Sequence, residues 1–238
     1  PTPVTGFMAI ATKLAAVLAT LRVFYVALGG ERWTWQPVFA TLAVLTMVLG
    51  AVAGLTQRDV KRMLAYSSIA HAGFLMTAVV GAAQDNSALP SSAASVLFYM
   101  IAYGFATVGA FGLVTMVRNN AGEDNSFAAW SGLAKKNPWV AGLMALFLLS
   151  FAGIPLFAGF VGKWLVFAAA WRGGFGWLVV VAVLVSLVAA YFYLRLIAVM
   201  FGGTPSRESF VAQASGWTWV PVVICAAATV WFGIAPDS

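Results

Sequence analysis

The chain has 238 residues, 62% hydrophobic and only 8% charged, with a mean hydropathy of +0.93. A soluble domain carries about 25% charged residues, so this composition excludes a water-soluble enzyme, a disordered chain and a secreted disulfide scaffold. Long unbroken apolar runs exclude a transmembrane β-barrel, whose strands alternate apolar and polar residues. What is left is an all-α membrane protein, and its net charge of +6 reads as the basic bias of cytoplasmic loops, not as a nucleic-acid surface.

A spanning helix needs about 20 mainly apolar residues. In chain order, such segments lie at 5–28, 36–55, 63–82, 91–117, 138–171, 175–201 and 216–235. These make about seven spans in a single transmembrane domain, 1–238. The opening Pro1-Thr2-Pro3 has neither Met nor a charged n-region ahead of the first apolar run, and it reads as part of a longer chain. The fifth segment is too long for one plain helix and contains Gly153-Ile154-Pro155, then Gly159 and Gly162. Proline removes a backbone donor and clashes with the preceding turn, which predicts a discontinuous helix broken near 153–159. The 118–137 connection is polar and is expected to hold a short surface helix. Cys225 stands alone in an apolar run, so it is a small hydrophobe, not a disulfide or metal site.

The loops alternate between two sides. One side receives Arg58, Lys61, Arg62, Arg118, Lys135, Lys136 and Arg207; the other receives Arg32 and Arg172, with Arg22 near a helix end. The first is expected to be cytoplasmic, leaving the C-terminus periplasmic in a bacterial plasma membrane. Trp33, Trp35, Trp130, Trp139 and Trp217 lie at loop edges, where tryptophan anchors the interface. Arg22 and Arg195 lie closer to span ends, where long basic side chains snorkel.

The acids Glu31, Asp59, Asp85, Glu123, Asp124, Glu208 and Asp237 all fall in loops or at ends. The bases do not. Lys13 is near the middle of the first span, His71 near the middle of the third, and Lys163 within the broken fifth. A charged lysine at mid-bilayer costs about 2.5–3.5 kcal/mol on insertion scales. Out of water, an amine loses part of its preference for the charged form and becomes able to release a proton. Histidine relays protons between its two nitrogens. Lys13, His71 and Lys163 therefore form a candidate proton route. The plainer alternatives are that the lysines snorkel or bond a freed backbone carbonyl, and that His71 is an interhelical hydrogen-bonding residue with Ser67, one turn away, as its partner. The break beside Lys163 adds weight to the first reading, because irregular backbone at membrane depth survives only against protein or a water cavity.

The run Asp59-Val60-Lys61-Arg62-Met63-Leu64-Ala65-Tyr66-Ser67-Ser68-Ile69-Ala70-His71-Ala72-Gly73 resembles the signature of the antiporter-like membrane subunits of respiratory complex I. Pro1-Thr2-Pro3-Val4-Thr5 resembles the opening of that family's eighth helix. Phe151-Ala152-Gly153-Ile154-Pro155 through Gly162-Lys163 resembles its broken twelfth helix. Lysine at position 13, where two of the family's three types usually carry histidine, resembles the N type. The resemblance implies an inverted-repeat fold in which this chain is the last seven of fourteen helices, with 36–201 the second five-helix repeat. It implies that Lys13 is the connecting lysine of a central proton axis, that Lys163 serves the second half-channel near its exit, and that His71 lies on the water-filled route beside them. It further implies no cofactor or metal on this subunit, a place among other membrane subunits of complex I, and proton translocation as part of an NADH:quinone oxidoreductase. A cation/proton antiporter subunit of the related Mrp type, and a purely structural subunit, are the competing readings. The lack of any acid inside the spans argues mildly against sodium exchange.

Overall fold

The computed structural model describes residues 2–81, 92–205, 210–211 and 216–236. The expectations for Asp85, Arg207, Glu208 and Asp237 fall outside the described residues. Helix α1 runs Thr2–Arg22 and widens into a π-helical turn, Val23–Ala27; α2 (Arg32–Leu55) and α3 (Val60–Val80) follow, then α4 (Ser92–Val114). After two short helices, α5 (Phe127–Trp130) and α6 (Leu133–Lys136), come α7 (Pro138–Ala152), α8 (Ala158–Arg172), α9 (Gly176–Gly202) and α10 (Gly216–Ile234). Six of the described segments are long and apolar enough to cross a membrane. The shorter α7, continued by α8, makes the seventh crossing in two pieces. The expected discontinuity thus falls between Ala152 and Ala158.

Small residues set the closest crossings, as expected where lipid and protein interior are equally apolar and backbone approach decides helix packing. A Cβ added at Gly50 would lie 2.4 Å from the backbone nitrogen of Ala70, and one at Gly73 would lie 2.7 Å from that of Met47, so α2 and α3 touch backbone to backbone. Two apolar clusters result. One holds Trp130, Phe147, Phe151, Phe192, Tyr193 and Tyr103. The other holds Met47, Phe74, Leu75 and Tyr99. The outer faces are apolar as well: Leu42, Leu45 and Leu49 on α2, and Val183, Leu184, Leu187 and Leu194 on α9, are exposed. Exposed leucine of this density belongs to a lipid-facing surface.

One end of the bundle is tied together by polar contacts. Asp59 caps α3 by accepting from the Arg62 N–H at 2.7 Å. Lys61 donates to the Thr2 hydroxyl at 2.8 Å, and that hydroxyl donates to the Glu123 carboxylate. Lys135 donates to the Gly203 carbonyl at 3.1 Å. The described basic residues expected on one side therefore do lie at one end. The 118–137 connection contains a feature not foreseen: strands β1 (Val117–Asn119) and β2 (Gly122–Glu123) form a hairpin that β3 (Phe210–Val211) extends in the order β2-β1-β3. At its base Asp124 accepts from the Ser126 hydroxyl and N–H at 2.8 and 3.0 Å and from the Asn119 amide at 3.0 Å. Partial burial pushes the Asp124 carboxyl up, but these hydrogen bonds outweigh it and hold the group below the ordinary aspartate value.

Two local expectations need correction. Trp130 is fully buried and Trp35 nearly so, with Trp35 donating to the Leu28 carbonyl at 3.0 Å. Neither is an interfacial anchor, whereas Trp33, Trp139 and Trp217 are exposed as expected. A loop-edge tryptophan goes inside when its connection folds back onto the bundle, as α5 does here in carrying Trp130 into the cluster with Met144, Leu196 and Met200. Arg195 reaches the loop end of the bundle. Its guanidinium donates to the Leu55 carbonyl at 3.3 Å and lies 5.3 Å from the centre of the Phe127 ring. Ser67 is not the direct partner of His71, for the reason given next.

Candidate functional site: a buried lysine–histidine–lysine row

Helix α7 stops at Gly153, whose φ of +83° is a left-handed conformation that suits glycine. Ending a helix leaves its last four carbonyls without intrahelical donors. Here Leu149 accepts from the N–H groups of Gly153 and Ile154, and Ser150 accepts from that of Gly153. The remaining two carbonyls, of Phe151 and Ala152, take the Lys163 ammonium at 2.8 and 3.1 Å. The Ser186 hydroxyl of α9 accepts at 2.7 Å. An ammonium has three donors, and all three are used. The negative end of the α7 dipole points at the same group and suits a cation. Lys163 is 5% exposed. An open cavity of about 240 Å³, lined among others by Gly153, Phe160, Lys163, Ser186 and the lipid-facing Val183 and Leu187, reaches it.

Lys13 is half-buried on α1. Its ammonium donates to the Ser68 carbonyl at 2.7 Å and to the Ser68 hydroxyl at 2.6 Å. A second cavity, of about 410 Å³ between α1, α3 and α4, is lined by Ser68, Thr5, Met8, Ala65 and Phe111 among others. Each lysine is thus held by groups that border a cavity.

His71 lies between them, where the two apolar clusters meet. It is 2% exposed. Its ring centre is 4.6 Å from that of Tyr103 and 5.6 Å from that of Phe74. The Lys13 ammonium is 4.7 Å from the Tyr103 ring centre, and the Lys163 ammonium 5.3 Å from the Phe74 ring centre. One aromatic ring therefore separates the imidazole from each lysine. Nδ1 pairs with the Tyr99 hydroxyl at 2.5 Å and Nε2 with the Tyr193 hydroxyl at 3.2 Å. The Tyr193 hydroxyl also bonds the Ser67 hydroxyl. Ser67 thus reaches His71 through a tyrosine of α9.

The three residues singled out in sequence, Lys13, His71 and Lys163, come together in one row. Sequence reasoning missed Ser186, Tyr99 and Tyr193. The only signal for the tyrosines was a hydroxyl inside an apolar span, which must find a partner when buried. Among the described residues no cluster of three or more His, Cys, Asp or Glu side chains exists to hold a metal ion.

Residues 1–189 match the family described as NADH:quinone oxidoreductase/Mrp antiporter, transmembrane. The chain belongs to this family. Within it, a protein of Cutibacterium acnes named NADH-quinone oxidoreductase subunit N is 50% identical over 247 aligned positions, covering all of this chain and 45% of that protein. A chain in the structure of respiratory complex I from Thermus thermophilus with bound aureothin is 32% identical, with a TM-score of 0.72 over 84% of this chain and 44% of its own. A chain of the Mrp complex from Dietzia sp. DQ12-45-1b has a TM-score of 0.84 over 99% of this chain and 51% of its own. At 20% identity that match speaks for the fold alone. The antiporter-like membrane fold is thus common to both branches of the family. The chain spans a little under half the length of the curated relatives it matches, 45% and 42% of the first two.

Proposed function

We propose that this chain is a proton-translocating element of the N type of complex I membrane subunit, moving protons along the Lys13–His71–Lys163 row. The observation that carries the reading is the row itself: His71 and Lys163 buried and Lys13 half-buried in an apolar bundle, with one ring between each lysine and the imidazole. Like charges repel strongly in a low-dielectric interior. A proton arriving on one member of the row therefore drives one off the next. Redox energy released in other subunits of the complex would bias that alternation in one direction, and the chain itself would carry no redox centre.

On this reading the seven spans correspond to the last seven of a fourteen-helix subunit, with 36–201 as the second five-helix repeat. The end bearing Lys61, Arg118 and Lys135 faces the bacterial cytoplasm and the C-terminus the periplasm. Neighbouring membrane subunits of complex I and lipid cover the exposed apolar faces. The described acids Glu31, Asp59, Glu123 and Asp124 all lie outside the helices, so the spans offer no carboxylate for sodium, which favours protons over the sodium-exchanging alternative.

The test is NADH-driven proton uptake in inverted membrane vesicles carrying the subunit with Lys163→Ala, with assembly checked on a native gel. Lost pumping in an assembled complex is expected. Unchanged pumping and turnover would reduce Lys163 to a structural cation capping α7, and sodium-dependent flux without NADH would then point to the antiporter reading.

A further inference from the structure

The polar neighbours of His71 form a single line across three helices. Ser67 on α3 meets Tyr193 on α9, Tyr193 meets Nε2 of His71, and Nδ1 of His71 meets Tyr99 on α4. All four residues are at most 2% exposed. Phe74, Tyr103 and Phe151, with ring centres 4.6–5.7 Å from that of the imidazole, pack around it. Both ring nitrogens are taken, so the two tyrosine hydroxyls are the polar exits from the ring among the described residues.

A neutral imidazole has one N–H and one bare nitrogen, and a hydroxyl both donates and accepts. The line can therefore be polarised in two senses. In one, Tyr99 donates to Nδ1, the Nε2–H donates to Tyr193, and Tyr193 donates to Ser67. In the other, every donor and acceptor is exchanged. Each end of the line adjoins a chain neighbour of a lysine site. Ser67 is followed by Ser68, which holds Lys13. The Tyr99 ring lies against Gly162, where an added Cβ would sit 2.4 Å from its Cδ2, and the next residue is Lys163.

The geometry points to Tyr193 and Tyr99 as relay residues that carry the proton through His71 between the Lys13 and Lys163 ends of the row. This rests on the proton-translocation reading above and adds the groups that make the transfer. In one passage the Ser67 oxygen gains a proton supplied from the Lys13 ammonium and gives its own to the Tyr193 oxygen. Tyr193 gives its hydroxyl proton to Nε2, Nδ1 gives its proton to Tyr99, and Tyr99 releases one toward the Lys163 amine. Each O–H or N–H bond broken is matched by one formed, and the net change is one proton moved. The passage starts from the second sense and leaves the line in the first; rotation of the hydroxyls and reorientation of the imidazole restore the second. The order of groups also explains why Ser67 bonds Tyr193 and not His71 itself, since the hydroxyl of α9 is the link that extends the line beyond one helix.

The experiment places Tyr193→Phe and Tyr99→Phe separately in the full subunit within the assembled complex. It measures NADH-driven proton uptake in inverted vesicles in water and in deuterium oxide. Tyr191→Phe, two residues along α9 and exposed, is the control. Each relay variant is expected to lose about tenfold or more of the uptake rate, the scale of a removed proton-transfer group. The residual rate should show a larger solvent isotope effect, because transfer across the gap has become limiting. Tyr191→Phe should match wild type. A lowered rate with an unchanged isotope effect reports less assembled protein and overturns the relay. So does normal uptake in both variants while Lys163→Ala has lost it. Normal uptake in Lys163→Ala instead overturns the underlying reading. If a phenylalanine variant fails to assemble, Ser67→Ala, which removes only the terminal hydroxyl, decides in its place: the same slowed, more isotope-sensitive uptake supports the relay, and wild-type uptake overturns it.

Discussion

Replacing Gly153 with alanine strikes the break in the broken helix at its tightest point. The residue has φ +83° and ψ 41°, a conformation that costs an L-residue about 1–2 kcal/mol. The new Cβ would lie 3.1 Å from Cδ and 3.3 Å from Nζ of Lys163, so the side chain must shift by a few tenths of an ångström against its three acceptors. A loss of about 1–2 kcal/mol is a factor of about 5–30 in a folding equilibrium. Gly142 lies in the same helix with nothing within 4 Å of an added Cβ. There the same substitution should gain about 0.5–1 kcal/mol, because a helical glycine loses more chain freedom on folding than alanine does. The assay is proton uptake by inverted vesicles after stepwise heating, with assembly followed on native gels. Gly153→Ala should inactivate at lower temperature and pump less before heating; Gly142→Ala should do neither. Wild-type heat resistance and pumping in Gly153→Ala would refute the claim that the left-handed turn positions Lys163.

At the other end of the row, Ser68→Ala removes the hydroxyl acceptor of Lys13 but leaves the carbonyl of the same residue. Its loss of pumping should therefore be smaller than that of Lys13→Met, measured in the same vesicles; equal losses would show that the carbonyl does not hold the amine. Trp130→Ala empties a fully buried site and should destabilise the protein by about 3–5 kcal/mol, read as lost assembly on a native gel; an interfacial anchor would lose far less. For Asp124, the folded carboxyl titrates below the ordinary aspartate value of about 4. Its contribution is present above that value and disappears as pH falls through the lower folded one. Limited proteolysis of the 117–126 hairpin in detergent should accordingly be unchanged from neutral pH down to about 5 and quicken only below about 4, and Asp124→Asn should remove that pH step.

The Asp59–Gly73 run shows how much of the site was legible and how much was not. It named His71 and, in Ser68, contained the residue that holds Lys13, yet neither Tyr99 nor Tyr193 shares a segment with it. Those two hydroxyls meet His71 only once α4 and α9 pack against α3.

The amino-acid sequence by itself determined the spans, a helix break near 153–159 and the place of Lys13, His71 and Lys163 within apolar segments. These follow from local quantities: apolar length against bilayer thickness, the backbone chemistry of glycine and proline, and the cost of charge away from water. Tertiary structure alone decided which faces turn inward. In a span that is apolar all round, lipid and protein interior are equally acceptable to leucine, so no periodic signal marks the inner face. That is why the burial of Trp35 and Trp130, the capping of α7 by Lys163 and the hydroxyl line through His71 emerge only from the packing of helices distant in the chain.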